Sequence, residues 1–151
     1  MARRIPEDEE APRISRGLHF LPPLEVDMTA YPIEEAGIYT SRIKVEMAHE
    51  FHYLCPAPLS EEQLEELNWL AAGTFRVAGC LDVARVDFRL DANDGDKPYI
   101  LEVNPLPGLN PDYSDLCIEA AADGWRYEEL VNRILDEAIE RYQLDQAAEA
   151  G

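Results

Sequence analysis

The chain has 151 residues, 46% of them apolar and 29% charged, values that suit one globular domain with its own core. Its formal net charge of −18 argues against a nucleic-acid partner, whose phosphates need a basic surface, and equally against an anionic membrane face. No apolar run approaches the roughly 18 residues that a membrane span requires. Arg3 and Arg4 are followed by no apolar segment, so no secretory signal is read. Cys55, Cys80 and Cys117 are scattered and odd in number, which suits reduced thiols in a cytoplasm rather than a disulfide frame.

Residues 1–17 are charged and proline-bearing and read as a loosely attached leader ahead of a domain spanning 18–144, with a frayed tail at 145–151. Residues 18–28, LHFLPPLEVDM, read as a strand bent at Pro22 and Pro23, which donate nothing to a ladder and so place it at an edge. Glu25 on it reads as solvated. A loop at 29–37 leads to a second strand at 38–47, partly exposed. His49 and His52 are three apart, but no helix is indicated and a third metal ligand is missing. Ser60 with Gln63 makes a capping box for a helix, with Glu61 and Glu62 at its positive end. Leu64, Leu67, Ala71, Phe75 and Ala78 give it a buried stripe, and Gly79 ends it.

Two alternating segments follow, LDVARVDFRL and PYILEVN, separated by the polar turn DANDGDK. The simplest reading is a β-hairpin. In the first segment Ala84, Val86, Phe88 and Leu90 share one face and Arg85, Asp87 and Arg89 the other; in the second, Glu102 and Asn104 share a face. If Leu90 pairs with Tyr99, Asp87 lies opposite Glu102 and Arg85 opposite Asn104. Directly opposed residues have Cβ atoms roughly 5 Å apart, and like charges there are destabilising. A sheet tolerates facing carboxylates mainly when a cation sits between them. Two carboxylates and an amide oxygen are hard ligands that suit Mg²⁺ bound together with a phosphate. At the turn, Asp91, Asn93 and Glu102 fall at calcium-loop positions, but Asp96 stands where such a loop needs glycine and the flanks are strands, so a solvated turn is the better reading.

The loop PLPGLNPDYSDL carries three prolines and reads as a binding loop. Asp115 is the expected cap of a short helix closed by Gly124. A last helix, roughly Tyr127 to Leu144, presents Leu130, Val131, Ile134, Leu135, Ala138, Ile139 and Tyr142 as one stripe, expected to lie across the back of the sheet.

The wording RVDF…LEVNPLPGL…YSDL resembles the metal-binding hairpin of the ATP-grasp ligases, and most closely the C-terminal domain of the D-alanine–D-alanine ligase branch, over about Leu18 to Leu144. The fold this implies is α+β, a mainly antiparallel sheet with helices packed on one face. The resemblance implies Asp87, Glu102 and Asn104 as ligands of Mg²⁺ (or Mn²⁺) and Arg85 as the catalytic group steadying the anionic transition state. Glu102 also faces ATP, and Lys44 is implied as a phosphate contact. Gly108 and Ser114 would shape the amino-acid site, in a loop one residue longer than in the best known members. The reaction implied is phosphoryl transfer from ATP to a carboxylate followed by attack of an amine, in the cytoplasm, for peptidoglycan synthesis. The net charge does not oppose ATP, because bound metal ions invert the local charge logic.

A complete enzyme of this branch is about twice as long. Its first-substrate domain, glycine-rich loop and adenine-reading residues have no counterpart in this sequence. The expectation is therefore a C-terminal fragment or split subunit, working with a missing N-terminal ligase part or as a homodimer and inactive alone. The alternative is a non-catalytic module that binds a divalent metal and phosphate as a scaffold.

Overall fold

A computed structural model gives the structure of the chain and describes residues 17–26 and 53–144. The expected strand at 38–47, with Lys44, His49 and His52, lies outside the described residues, as do residues 1–16 of the leader and the tail at 145–151. The elements in chain order are β1 (Glu25–Val26), β2 (Tyr53–Leu54), α1 (Glu61–Val77), β3 (Arg85–Asp91), β4 (Lys97–Asn104), α2 (Asp115–Ala122) and α3 (Tyr127–Tyr142). The fold is α+β with antiparallel pairing throughout the described strands.

The long strand expected over 18–28 is reduced to β1, which pairs with β2 through Glu25↔Leu54 and Val26↔Tyr53. Pro22 and Pro23 bring no N–H, so ladder pairing starts only after them. The Pro23 carbonyl still accepts a hydrogen bond from the Ala57 amide at 2.7 Å. β1–β2 forms a sheet separate from β3–β4.

Helix α1 begins as its sequence dictates. The Gln63 amide donates to Ser60 Oγ at 3.2 Å, and the Ser60 amide donates to Gln63 Oε1 at 2.9 Å. The helix ends at Val77 because Gly79 takes a left-handed φ of 67°, which glycine adopts without steric cost. Ala78, expected in the buried stripe, is the exposed C-cap, whereas Ala72 is fully buried. The stripe is turned slightly from its expected position, and α1 packs against β4.

The compact core sits under α2 and α3. Leu116, Cys117 and Ala120 of α2 and Leu130 of α3 are buried together, with Leu21, Val83, Trp125 and Ile134 packed around them. Gly124, at φ 86°, turns the chain between the two helices, and the Trp125 amide returns to the Ala120 carbonyl at 2.9 Å. The principal partner of α3 is therefore α2 rather than the back of the hairpin. Leu135 and Tyr142, placed on the apolar stripe from sequence, are exposed. The far end of α3 is tied to the chain entering β3 by a paired contact from Arg141 to Asp82.

Ser60→Ala removes the acceptor for the Gln63 amide. It should lower stability by about 1 kcal/mol in urea unfolding at pH 7, and Gln63→Ala should lose no more when added to it than when made alone.

Candidate functional site

The site is built on the β3–β4 hairpin. Its ladder pairs Arg85 with Asn104, Val86 with Val103 and Asp87 with Glu102, the register expected from sequence at this end. Beyond Asp87 the register slips. Phe88 faces Ile100 and Leu90 faces Pro98, not Tyr99, so Leu101 is one extra residue on β4. The cause lies at the tip. A short 3₁₀ turn over Ala92–Asp94, closed by Gly95 at φ 66° and Asp96 at φ 57°, fixes Asp91 opposite Lys97. That tip register and the register at the acidic pair differ by one, and the bulge absorbs the difference beside the site, where bulges commonly re-aim side chains.

Opposed residues of an antiparallel ladder project to one face, and so do residues two apart on a strand. Arg85, Asp87, Glu102 and Asn104 therefore share a face. Arg85 lies between two acids. Its Nε donates to Asp87 Oδ1 at 2.7 Å and its Nη2 to Asp87 Oδ2 at 3.0 Å. Its Nη1 donates to Asp115 Oδ2, on the first turn of α2, at 2.7 Å. Burial alone would pull the guanidinium down, but the hydrogen bond and charge of Asp87, with the charges of Asp115 and Glu102, push its pKa up. Glu102 is exposed. Asn104 Oδ1 accepts from the Leu106 amide at 3.0 Å, which starts the loop in a fixed direction.

That loop brings the two sequence-predicted substrate residues into contact. A Cβ on Gly108 would lie 2.8 Å from Ser114 Oγ, so the position takes glycine for space rather than for an unusual φ. Ser114, only 8% exposed, is the N-cap of α2, yet its hydroxyl makes no capping bond and instead accepts from the Asn110 amide at 2.9 Å. Asp115, expected as the cap, is the first residue of the helix and is directed at Arg85.

Sequence reading missed Glu119. It sits one turn beyond Asp115 on α2, and burial raises its pKa to about 7. The charge of Asp115 adds to the rise, Arg85 opposes it, and Asp87 adds again. The i, i+4 spacing from Asp115 was visible in the chain, but nothing there showed that α2 turns this face toward Arg85. The calcium-like tip separates in space from the site: Asp91 Oδ1 accepts from the amide and the side chain of Asn93, while Glu102 sits opposite Asp87. Among the described residues, no three His, Cys, Asp or Glu converge on one point that could hold a metal.

Comparison with known proteins decides the family. Residues 23–136 match the model of the D-ala D-ala ligase C-terminus. The chain belongs to that family. A D-alanine–D-alanine ligase of Synechococcus sp. (strain JA-3-3Ab) is 43% identical over 100 residues, covering 66% of this chain and 30% of the relative. A protein of Sinorhizobium fredii named only y4sG is 35% identical over 122 residues, covering 81% of this chain and 34% of its own. Among solved structures, the D-alanine–D-alanine ligase of Bacillus anthracis complexed with ATP superposes with a TM-score of 0.56 and 26% identity, over 63% of this chain and 32% of that one. The chain thus spans about a third of the length of these relatives. The Synechococcus and Bacillus anthracis homologues are D-alanine–D-alanine ligases, of the ATP-grasp kind, and the likeness of this chain to them is that of a C-terminal part. Among the described residues, no helix is long and apolar enough to cross a membrane.

A carboxyl group whose pKa rises on folding binds its proton more tightly in the folded state. For Glu119 the resulting stability is full below pH 4.5 and is lost as pH rises through about 7. Glu119→Gln, which keeps the shape without the charge, should leave stability near the wild-type value at pH 4.5 and raise it at pH 8, by up to about 3 kcal/mol in denaturant unfolding.

Proposed function

We propose that this chain is the metal- and phosphate-binding portion of an ATP-dependent carboxylate–amine ligase, joining amino acids in the manner of D-alanine–D-alanine ligase. The observation that carries the reading is the pairing of Asp87 with Glu102 across the ladder, with Asn104 two residues along the same face. The set fits Mg²⁺ or Mn²⁺ by its chemistry. Glu102 is open to solvent, and Asn104 Oδ1 and both Asp87 oxygens keep lone pairs beyond the bonds they already accept. Hard oxygens of this number suit a cation that keeps part of its shell for water and polyphosphate oxygens. Held by Asp87, Glu102 and Asn104, such an ion would supply positive charge that offsets the negative charge developing on a transferring phosphoryl group.

The chain's own residues do the rest. Arg85 stays protonated, and three of its five N–H groups are already placed, leaving two to meet an anion. That anion is the acyl phosphate formed when a substrate carboxylate takes the terminal phosphoryl group of ATP and ADP leaves. An amine then attacks the acyl carbon, loses its proton to base, and phosphate departs. The Gly108 to Ser114 loop, held by the Asn104–Leu106 and Asn110–Ser114 bonds, shapes the site of the amino-acid carboxylate with its backbone. Lys44 is proposed as a further contact to the phosphates. The elements that grip adenine and the first amino acid belong to the part of the ligases that this chain does not span. A location in the cytoplasm, where ATP is plentiful, and a role in peptidoglycan synthesis belong to the same proposal.

Phosphate release in Mg²⁺, ATP and D-alanine tests this. The chain alone should give no turnover, and turnover should appear on mixing with a polypeptide carrying the N-terminal and central domains of a D-alanine–D-alanine ligase. Glu102→Gln should reduce it by at least about 100-fold, since loss of one proposed metal-ligand charge removes several kcal/mol of transition-state stabilisation. Divalent-metal binding with no turnover under any mixing condition would instead identify a non-catalytic metal and phosphate module.

A further inference from the structure

We propose that Asp115 is a positioning residue that keeps the Arg85 guanidinium in place when a cation takes hold of Asp87; the proposal rests on the ligase reading of this hairpin.

The geometry is that of a clamp with two jaws on different elements. Asp87, on β3, accepts along one edge of the guanidinium through two bonds of 2.7 and 3.0 Å. Asp115, on α2, accepts from Nη1 at 2.7 Å. All three side chains are largely withdrawn from solvent, at 18% exposure for Arg85, 32% for Asp87 and 24% for Asp115. Screening is therefore weaker than at an open surface pair, and charge-assisted bonds of this length are strong ones.

The two jaws differ in how they would depend on a metal. A cation held by Glu102 and Asn104 would use the remaining lone pairs of the Asp87 oxygens that Arg85 binds. Sharing that charge would weaken the Asp87–Arg85 bonds and loosen this jaw. Asp115 is outside the proposed ligand set and on a separate helix, so a cation held by Asp87, Glu102 and Asn104 would not draw on its bond to Arg85. Its bond to Nη1 keeps the remaining N–H groups directed at the face where Glu102 and Asn104 project. The helix start that carries Asp115 is itself fixed by packing: Leu116 and Cys117 beside it are buried in the core, and Ser114 before it is wedged against Gly108. The clamp thus also ties the aim of Arg85 to the loop that shapes the amino-acid site.

The sign of the electrostatics separates positioning from bulk charge. Removing Asp115 deletes one negative charge near the phosphates, which by charge alone would tighten binding of the anionic Mg·ADP complex. Loss of positioning predicts the reverse.

The experiment compares wild type with Asp115→Ala, Asp115→Asn and Asp115→Glu, each first checked for a wild-type circular dichroism spectrum. Two quantities are read: solvent exchange of the Arg85 Nη1–H protons, which Asp115 accepts, by NMR with and without Mg²⁺, their signal assigned by its disappearance in Arg85→Lys, and Mg·ADP affinity by calorimetry. The expected result is a protected Nη1–H in wild type and exchange accelerated several-fold in Asp115→Ala, with affinity falling about tenfold, the size typical when a partner that orients a metal site is lost. Asp115→Glu should recover part of both. Should Asp115→Ala not fold, Asp115→Asn, which keeps the volume, should show the same losses to a smaller degree. Unchanged exchange with equal or tighter Mg·ADP binding in a folded variant overturns the proposal. Failure of wild type to bind Mg²⁺, with or without ADP, would instead overturn the metal- and phosphate-binding reading of the site, and the exchange data from the same samples would still decide whether Asp115 fixes Arg85.

Discussion

Two negative side chains are held face to face on neighbouring strands, and the rest of the site is arranged around their repulsion. At a spacing of roughly 5 Å, two unit charges repel by about 1 kcal/mol in water and about 3 kcal/mol in the more shielded environment near a protein surface. Asp87 and Glu102 bear that cost because their positions in the ladder leave no other choice of face. Arg85 offsets it by binding both oxygens of Asp87. The Leu101 bulge lets the tip close in its own preferred turn without moving the pair.

The same cluster sets the chemistry of its neighbours. Arg85 is shared by Asp87 and Asp115, so its positive charge is largely spent before it reaches Glu119. Glu119, half a helix further on and mostly withdrawn from water, holds its proton up to about pH 7. The arrangement is a graded one: two facing carboxylates at the ladder, a fixed guanidinium beside them, and behind them an acid whose pKa burial raises to about 7. A divalent cation at the ladder would draw on Asp87 and leave Arg85 to Asp115 and to an incoming anion. The apolar side chains beside the pair, Tyr99, Ile100 and Leu101 on β4 and Leu106 on the loop, are exposed in this chain, although polar strand faces alone are usual next to water.

Local signals read well from the sequence. The capping box at Ser60, the glycine stops at Gly79 and Gly124, and the hairpin itself all follow from chemistry within a few residues. The facing of Asp87 and Glu102 followed from alternation counted back from an assumed pairing. Leu90 with Tyr99 was the wrong anchor, because the turn chemistry at Gly95 and Asp96 moved the tip by one. The acidic pair was nonetheless right, since the bulge lies between the two. What did not read from sequence was the meeting of distant elements. Asp115 looked like a helix cap and proved to be a partner of Arg85, thirty residues away in the chain. Glu119 carried no sign of its burial. Leu135 looked buried because its period was right, but the stripe of α3 is wider than the surface of α2 that covers it.

The most direct test is where a divalent ion settles. In an NMR titration with sub-stoichiometric Mn²⁺, paramagnetic broadening should first erase the amide signals of Asp87, Glu102 and Asn104 while those of the acidic tip from Asp91 to Asp96 persist. Broadening that begins at the tip and leaves Asp87 and Glu102 sharp would contradict a metal site between the facing strands.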